Sequence, residues 1–235
     1  MKLKFQLLFI LLGTLCLAQT HFEMDEISKN YRVSIDIATC NEKECFGKTS
    51  INFINKNTLE KLPTLTSENF TFSFETDSVN SKKINFEDAQ IPLIFDDFNF
   101  DGHEDLALIN GSSRNADKSL YDIFIYDSIQ KQFLLSEGLT DLVKDNSGMF
   151  TADAGRKRLV IHSKSGCCIH ITKEYEVIQG RDPLKVYEFE EDTRDPKTVI
   201  TKKTEFIDYK WFTKTTTYPR EVYYKENNDE NTKGN

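Results

Sequence analysis

Glycine and proline are scarce in this sequence, which has 10 Gly and 5 Pro among 235 residues. These counts exclude collagen-like chains and Pro/Gly-rich disordered chains. The chain also has a single Trp, although 18 Phe and 9 Tyr accompany it. A chain of this length and aromatic content can bury a core, either as one large domain or as two small ones.

Long apolar runs are also lacking, apart from one at the start of the chain. Residues 1–4 are cationic, residues 5–12 are almost entirely apolar, and the small-residue exit Cys16-Leu17-Ala18 follows. This is the order of a secretory signal peptide, and the run is too short to span a membrane. We therefore expect residues 1–18 to be removed by cleavage after Ala18, and the protein to be periplasmic or extracellular.

Cys16 offers a second interpretation of the same segment, as the lipid-attachment cysteine of a lipoprotein. Lipoprotein signals place a small residue immediately before that cysteine, whereas Leu15 stands there in this sequence. A lipid anchor through Cys16 is therefore the less favoured interpretation. No later stretch is apolar for long enough to cross a bilayer, so we expect no membrane span.

Basic residues are fewer than acidic ones. The sequence has 30 Lys and Arg against 38 Asp and Glu, and removal of Lys2 and Lys4 with the signal peptide leaves 28 against 38, a net charge of −10. Such a charge disfavours nucleic acid and anionic lipid as partners. It favours a cationic partner or a metal ion, although the same charge also simply keeps a protein soluble.

Four of the five cysteines lie beyond the signal peptide, and they form two local pairs. An even number of cysteines in an oxidising compartment indicates disulfides. Three pairings are possible, and we favour Cys40 with Cys45 and Cys167 with its neighbour Cys168. Crossed pairing between the two clusters is the main alternative. A zinc site is disfavoured because neither pair has the usual two-residue spacer.

Most of the sequence after residue 30 has the alternation of apolar and polar residues that is typical of β-strands. The clearest segments are 31–37, 49–54, 70–74, 121–126, 158–162, 169–177, 185–189, 199–206 and 209–217. Alternation with period two, enriched in β-branched and aromatic residues, predicts strands with one buried face. The sequence therefore predicts an all-β protein, with a β-sandwich as one possible architecture and a turn or two of helix only around residues 139–144.

The domain organisation predicted from composition is a single all-β domain over residues 19–225. A polar, loop-like stretch near residues 77–90 divides it weakly into an N-terminal hairpin layer (19–80) and a larger core part (81–225). From Glu226 to the last residue no side chain is apolar, so residues 226–235 are predicted to be a disordered tail.

The strongest local motif begins at Asp97 and has the spacing of the first part of a calcium loop. Oxygen-bearing side chains occupy positions 1, 3, 5 and 9 of this motif, as Asp97, Asn99, Asp101 and Asp105. Gly102 at position 6 permits the sharp turn, and His103 at position 7 is expected to offer its backbone carbonyl. Leu108 replaces the position-12 glutamate of an EF-hand, and the motif continues into a buried-strand pattern.

The residue types of this motif suit Ca²⁺. Three carboxylates and one amide match a hard cation with flexible coordination better than they match Mg²⁺ or Zn²⁺. The alternative is an Asp/Asn/Gly turn without a metal. We expect a calcium ion in a structural role rather than a catalytic one.

The same residues carry a family resemblance. The pattern D-x-N-x-D-G-x-x-D-L resembles the calcium loops of FG-GAP and VCBS repeats, which occur in β-propeller blades. The longer order FDDFNFDGHEDLALING, YDIFIYD, Phe133–Ser136, SKSGCC and His170 resembles an exported bacterial calcium-binding family that includes periplasmic immunity proteins. The resemblance covers roughly residues 90–180.

This resemblance implies a β-propeller-like or twisted antiparallel multi-sheet architecture around the calcium loop. It also implies a function, because the related immunity proteins inhibit peptidoglycan hydrolases that a rival delivers by type IV secretion. The expected partner is then a cationic peptidoglycan hydrolase whose cleft is occluded. The candidate contact surface is the turn at Ser165 and Gly166 with Cys167 and Cys168, together with His170 and Tyr175; a plain structural turn is the alternative.

An enzymatic function is less well supported by the sequence. His21, His103, His162 and His170 lie in no recognisable nucleophile or zinc motif. A phosphate-binding glycine loop and a G-x-S-x-G motif are also missing, although a pair of catalytic carboxylates cannot be recognised or rejected from sequence. We therefore expect a binding protein, and the alternative function is a calcium-stabilised adhesion or scaffolding module.

Overall fold

The computed structural model describes residues 20–42, 44–73, 91–112, 119–146 and 148–231. The predicted signal peptide (1–18) and the predicted boundary stretch (77–90) lie outside these residues. Among the described residues, no helix is both long enough and apolar enough to cross a membrane.

The described strands form three antiparallel sheets in which neighbours in sequence are neighbours in space. The first sheet has the order β1 (Thr20–Met24), β2 (Tyr31–Cys40), β3 (Glu44–Asn55), β4 (Leu65–Ser73). The second has the order β5 (Leu93–Asp96), β6 (Asp105–Ser112), β7 (Ser119–Asp127), β8 (Gln132–Leu135). The third contains β9 (Thr151–Asp153), β10 (Arg158–Ser165), β11 (Ile169–Glu176), β12 (Leu184–Asp192), β13 (Thr198–Ile207) and β14 (Lys210–Pro219).

The all-β, antiparallel multi-sheet prediction is confirmed, and the sheets are not closed into a barrel. Each of the nine alternating segments lies largely within a strand. The strands that the sequence pattern missed are β1, β5, β8 and β9, with five, four, four and three residues. Such short strands hold too few residues for an alternation to stand out. The third sheet has six strands, more than the four of a propeller blade.

Two helices accompany the sheets within the described ranges. Helix α1 (Glu137–Asn146) confirms the helix predicted around 139–144, and it buries Leu139 and Val143 against the core. Thr140 of this helix fixes it to β7, because its hydroxyl accepts a 2.9 Å hydrogen bond from the backbone N–H of Ile123.

Helix α2 (Arg220–Asn231) differs from the prediction of a disordered tail from residue 226, because residues 226–231 continue this helix. The absence of apolar residues was the basis of that prediction, and it indicates the lack of a buried face rather than the lack of a helix. The helix is anchored at its first residue, where the guanidinium of Arg220 donates to the carbonyls of Thr193 and Asp195 at 3.1 and 3.0 Å.

The first two sheets are joined by a cluster of aromatic rings. Phe53 of β3 is 1% exposed, and its ring centroid lies 4.9 Å from that of Phe133 and 6.4 Å from that of Phe95. Tyr31 of β2 completes the contact, with its ring 5.5 Å from Phe133 and 6.0 Å from Tyr126. These ring contacts pack the first sheet against the second. They thereby also position the connection between β5 and β6.

Burial decreases across the third sheet. Leu159 and Ile161 of β10 belong to the core. Strands β11 and β12 are mostly half-buried, and β14 is mostly exposed. The outer strands of this sheet therefore extend beyond the core of the molecule.

Candidate functional site

The predicted calcium loop connects β5 to β6 as a hairpin loop. Asp96 and Asp105 face each other at the last ladder position before the loop opens. Within it, Phe100 and Gly102 have positive φ angles of 60° and 92°. The Gly102 conformation is one that side-chain-bearing residues rarely adopt, which is the reason for glycine at this position.

The oxygens of the loop side chains are turned inward onto its backbone. The carboxylate of Asp97 accepts hydrogen bonds from the backbone N–H groups of Asp101 and Gly102, at 3.0 and 2.8 Å. The side-chain oxygen of Asn99 accepts from the same N–H of Asp101 at 3.0 Å. Asp101 in turn accepts from the backbone N–H of His103 at 2.9 Å and from the amide of Asn99 at 2.8 Å. The loop is therefore ordered by its own acidic and amide side chains.

His103, whose backbone carbonyl is the predicted ligand, is exposed. Its ring nevertheless has a neighbour, since the ring centroid lies 5.5 Å from that of Tyr126 on β7. This contact was not visible in the sequence, because His103 lies in the loop before β6 and Tyr126 lies on β7.

Asp105 is the buried member of the predicted ligand set, with no exposed surface. One carboxylate oxygen accepts the backbone N–H groups of Phe98 and Asn99 at 2.8 and 3.2 Å, and the other accepts that of Tyr126 at 2.9 Å. Burial raises the pKa of Asp105 to about 7, although these hydrogen bonds oppose the shift. A cation beside this carboxylate would offset the cost of burying its charge.

Glu104 is a functional candidate that sequence reasoning missed. Its carboxylate accepts hydrogen bonds from the hydroxyl of Ser28 at 2.7 Å and from the backbone N–H groups of Lys29 and Asn30, both at 3.0 Å. The loop is thereby attached to the connection between β1 and β2 in the first sheet. No local signal could have shown this, because Ser28 lies 76 residues earlier in the chain.

The donor set fits calcium by its chemistry. Carboxylate, amide and carbonyl oxygens are the ligands of this ion. In the arrangement described, no group of three or more His, Cys, Asp or Glu side chains in the described ranges is gathered closely enough to hold a metal. The side-chain oxygens of the loop instead accept hydrogen bonds from the N–H groups of the loop backbone. A bound Ca²⁺ would be held by the side chains of Asp97, Asn99, Asp101 and Asp105 and by the carbonyl of His103.

The second candidate region is the turn between β10 and β11, where Ser165 pairs with Ile169. Cys167 and Cys168 are joined by a disulfide within this turn, and Cys40 is joined to Cys45 between β2 and β3. Both favoured pairings are thus present in the structure. The carbonyl of Cys168 also accepts hydrogen bonds from the backbone N–H and the hydroxyl of Thr193, at 2.8 and 3.0 Å. The turn is exposed, and both hydrogen bonds tie it to Thr193, just after β12.

The structure places only part of the predicted contact surface at this turn. Ser165 and Gly166 are exposed at its tip, with Gly166 at a φ of 65°. His170 follows on β11, where its Nδ1 lies 3.8 Å from a carboxylate oxygen of Glu191. Tyr175 lies at the far end of the same strand and packs against the core cluster.

Tyr175 therefore does not join the surface formed by the turn. Five residues of extended strand separate it from His170, which corresponds to roughly 17 Å. Its ring lines a cavity of about 380 Å³ beside helix α1, together with Lys173 and Asn146. Burial there raises the pKa of the Tyr175 hydroxyl.

The structure also pairs a histidine with a carboxylate, which the sequence did not suggest. Nδ1 of His21 on β1 lies 2.7 Å from a carboxylate oxygen of Asp36 on β2. A Ser-His-Asp relay would need a nucleophile at the other ring nitrogen. In this case that nitrogen faces Glu23 at 3.8 Å. The pair is a hydrogen bond on the sheet surface rather than a relay.

Comparisons with known proteins give one informative result. No family model matches the sequence, and no curated protein matches it. Among solved structures, the fold is similar to that of a Xanthomonas protein described as related to the type IV secretion system, with a TM-score of 0.61. The two sequences are 20% identical, and the match covers 83% of this chain and 93% of the Xanthomonas chain. At this level of identity, the likeness establishes a shared fold.

Proposed function

We propose that this protein is an exported, calcium-binding inhibitor of a peptidoglycan hydrolase, acting as an immunity protein in the context of type IV secretion. The observation that carries the proposal is the likeness of fold over 93% of a Xanthomonas chain described as related to that system. The SKSGCC segment and the calcium-loop motif, which resemble the immunity family, support the same assignment.

The turn between β10 and β11 is the element that would enter the cleft of the hydrolase. An inhibitor of this kind needs a projection that keeps one conformation, because a preorganised loop loses less entropy on binding. The Cys167–Cys168 disulfide and the two hydrogen bonds from Thr193 restrict this turn, while Ser165 and Gly166 remain exposed at its tip. The net negative charge of the chain would increase the rate of encounter with a cationic hydrolase.

Calcium would stabilise the scaffold without taking part in chemistry. The loop lies where β5 and β6 meet, and Glu104 attaches it to the first sheet. An ion held by the loop oxygens would order this junction and strengthen the contact between the two sheets. An ion that binds only the folded state raises the free energy of unfolding. Above the Kd, this gain increases with the logarithm of the ion concentration.

Replacement of Asp101 by alanine tests the calcium assignment. We expect calcium to raise the melting temperature of the parent protein by several degrees, since a ligand at about 100 times its Kd adds roughly 2.7 kcal/mol. Asp101→Ala should abolish this response, because it removes a ligand that is exposed and makes only local hydrogen bonds. Differential scanning calorimetry with calcium or chelator measures both effects. An equal calcium response in the variant would contradict the assignment, and Asp127→Ala, in an exposed turn of the second sheet, is the control.

Inhibition is tested with the mature protein, calcium and a purified hydrolase delivered by type IV secretion, using peptidoglycan turbidity as the readout. We expect inhibition at micromolar protein. Ser165→Arg at the tip should weaken it about tenfold or more, the loss typical of a central contact residue. Ser128→Arg, in the exposed β7–β8 turn, should leave inhibition unchanged. Failure to inhibit any hydrolase of this class, or equal effects of the two arginines, would contradict the proposed function.

A further inference from the structure

The outer edge of the third sheet differs from the other described sheet edges. Strand β14 lies at this edge and has ten residues. The edge strands β1, β5, β8 and β9 have only three to five residues. The remaining edge strand, β4, has nine residues, but its register with β3 shifts between Gly47 and Thr49. Natural proteins protect sheet edges by shortening or bending them or by placing Lys and Pro on them. Strand β14 is neither short nor bent, and its protecting residues are Lys210, Lys214 and the terminal Pro219.

The side chains of β14 are accessible along its whole length. Its pairing with β13 is continuous over ten residue pairs, so the strand is regular. Every residue of the strand is exposed or half-buried, and Trp211 and Phe212 remain 45% and 54% exposed. Among the described residues, no strand pairs with its outer side. The edge therefore offers a regular row of backbone donors and acceptors flanked by large apolar side chains.

The sequence of β14 is complementary to itself in one antiparallel register. Two residues that oppose each other in an antiparallel pair have their side chains on the same face of the sheet. When the two strands are identical copies related by a two-fold axis, this condition requires one residue to oppose its own copy. The register is then described by that central residue. Centring on Thr215 aligns residues 211–219 of both strands. The opposed pairs are then Phe212 with Tyr218, Thr213 with Thr217, Lys214 with Thr216, Thr215 with itself, and Trp211 with Pro219. Aromatic pairs and Thr–Thr pairs are among the cross-strand contacts that stabilise sheets.

Neighbouring registers are poorer. Centring on Lys214 places the two Lys214 side chains directly opposite each other, which is unfavourable for like charges. Centring on Thr213 or on Thr216 shortens the overlap to seven residues within the strand and separates Phe212 from Tyr218. The positions of Lys214 and of the two aromatic residues thus select a single alignment.

From this edge and its register we infer that β14 is a homodimer interface, at which a second copy of this chain adds its own β14 antiparallel, centred on Thr215. The contact joins the two six-stranded sheets into one continuous sheet. It buries Trp211, Phe212 and Tyr218 of both copies. The inference goes beyond the proposed inhibition, because the interface requires neither the calcium loop nor the β10–β11 turn.

The test is sedimentation equilibrium of the full mature chain from about 1 µM to 1 mM. We expect a monomer–dimer equilibrium for the parent protein. Thr215→Lys places two lysines face to face and should weaken association about fivefold, as expected for a like-charge pair. Thr213→Lys is the matched control, because this lysine opposes Thr217 and should weaken association less.

An equal mixture of Thr215→Lys and Thr215→Glu chains makes the test specific for the register. Mixing should restore dimers at least to the parent level, since the lysine of one chain then opposes the glutamate of the other. A parent protein that stays monomeric over the whole concentration range would overturn the inference. Dimers that respond equally to both lysine substitutions, or that are not restored by mixing, would also overturn it.

Discussion

Asp105→Ala is expected to lower the free energy of unfolding by about 3 kcal/mol or more, because each buried donor that loses its partner costs about 1 to 3 kcal/mol. The carboxylate is fully buried and accepts the backbone N–H groups of Phe98, Asn99 and Tyr126. Alanine leaves these donors unpaired at the base of the candidate calcium loop. Urea denaturation of both proteins in chelator gives the difference directly.

Asp96→Ala is the matched control for this substitution. Asp96 faces Asp105 across the ladder, but it is exposed and makes a local hydrogen bond to the N–H of Asp97. Its loss should change stability by less than about 1 kcal/mol. Equal losses of unfolding free energy at the two positions would contradict the prediction. They would show that the three buried hydrogen bonds of Asp105 add no more stability than the exposed carboxylate of Asp96.

The effect of Asp105→Ala should also depend on pH. The pKa of Asp105 is raised to about 7 in the folded protein, so the folded state binds more protons here than the unfolded chain between about pH 4 and 7. Stability without calcium should therefore rise in the parent protein as the pH falls through 7. The deficit of the alanine variant in chelator is then larger at pH 5 than at pH 8. The opposite trend would contradict the raised pKa.

Phe53→Ala is expected to destabilise the protein by about 3 to 5 kcal/mol, as is typical when a buried aromatic ring is removed. The Phe53 ring is 1% exposed and contacts rings from both of the first two sheets, including Tyr31 and Phe133. Its removal leaves a cavity where the sheets meet. For a chain of this size the loss corresponds to a fall in melting temperature of about 6 to 20 °C.

Phe46→Ala on the same strand is the control, because this ring is 41% exposed. It should lower stability by less than about 1 kcal/mol. Phe53→Leu separates loss of volume from loss of the aromatic contacts, and it should recover much of the stability lost in Phe53→Ala. A Phe53→Ala variant that melts with the parent would show that the aromatic cluster does not hold the two sheets together.

Most strands could be predicted from the sequence because their signal is local. In β2 the side chains of Val33, Ile35 and Ile37 are buried, and polar residues alternate with them. The pattern fails where strands are very short, as in β1, β5, β8 and β9. It also fails for the end of α2, because a segment without apolar residues can still form a helix.

The sequence predicted that the candidate site is an ordered loop, but it did not predict the contacts of that loop with distant parts of the chain. The spacing of Asp97, Asn99 and Asp101 indicated an ordered acidic loop, and these side chains do organise the loop backbone. Asp105 accepts a hydrogen bond from the backbone of Tyr126, which lies 21 residues away in the chain. The link from Glu104 to Ser28 spans 76 residues. A local spacing rule contains no information about partners at such distances.

The sequence by itself determined the positions of the longer strands, the two local cysteine pairs and the acidic loop, since each depends on residues that are close together in the chain. Only the tertiary structure decided that Tyr175 packs against the core cluster away from the β10–β11 turn, and that β14 lies at an exposed edge. The physical reason is that burial and edge position depend on how sheets pack and in which order strands pair. Both are set by contacts between segments far apart in the chain.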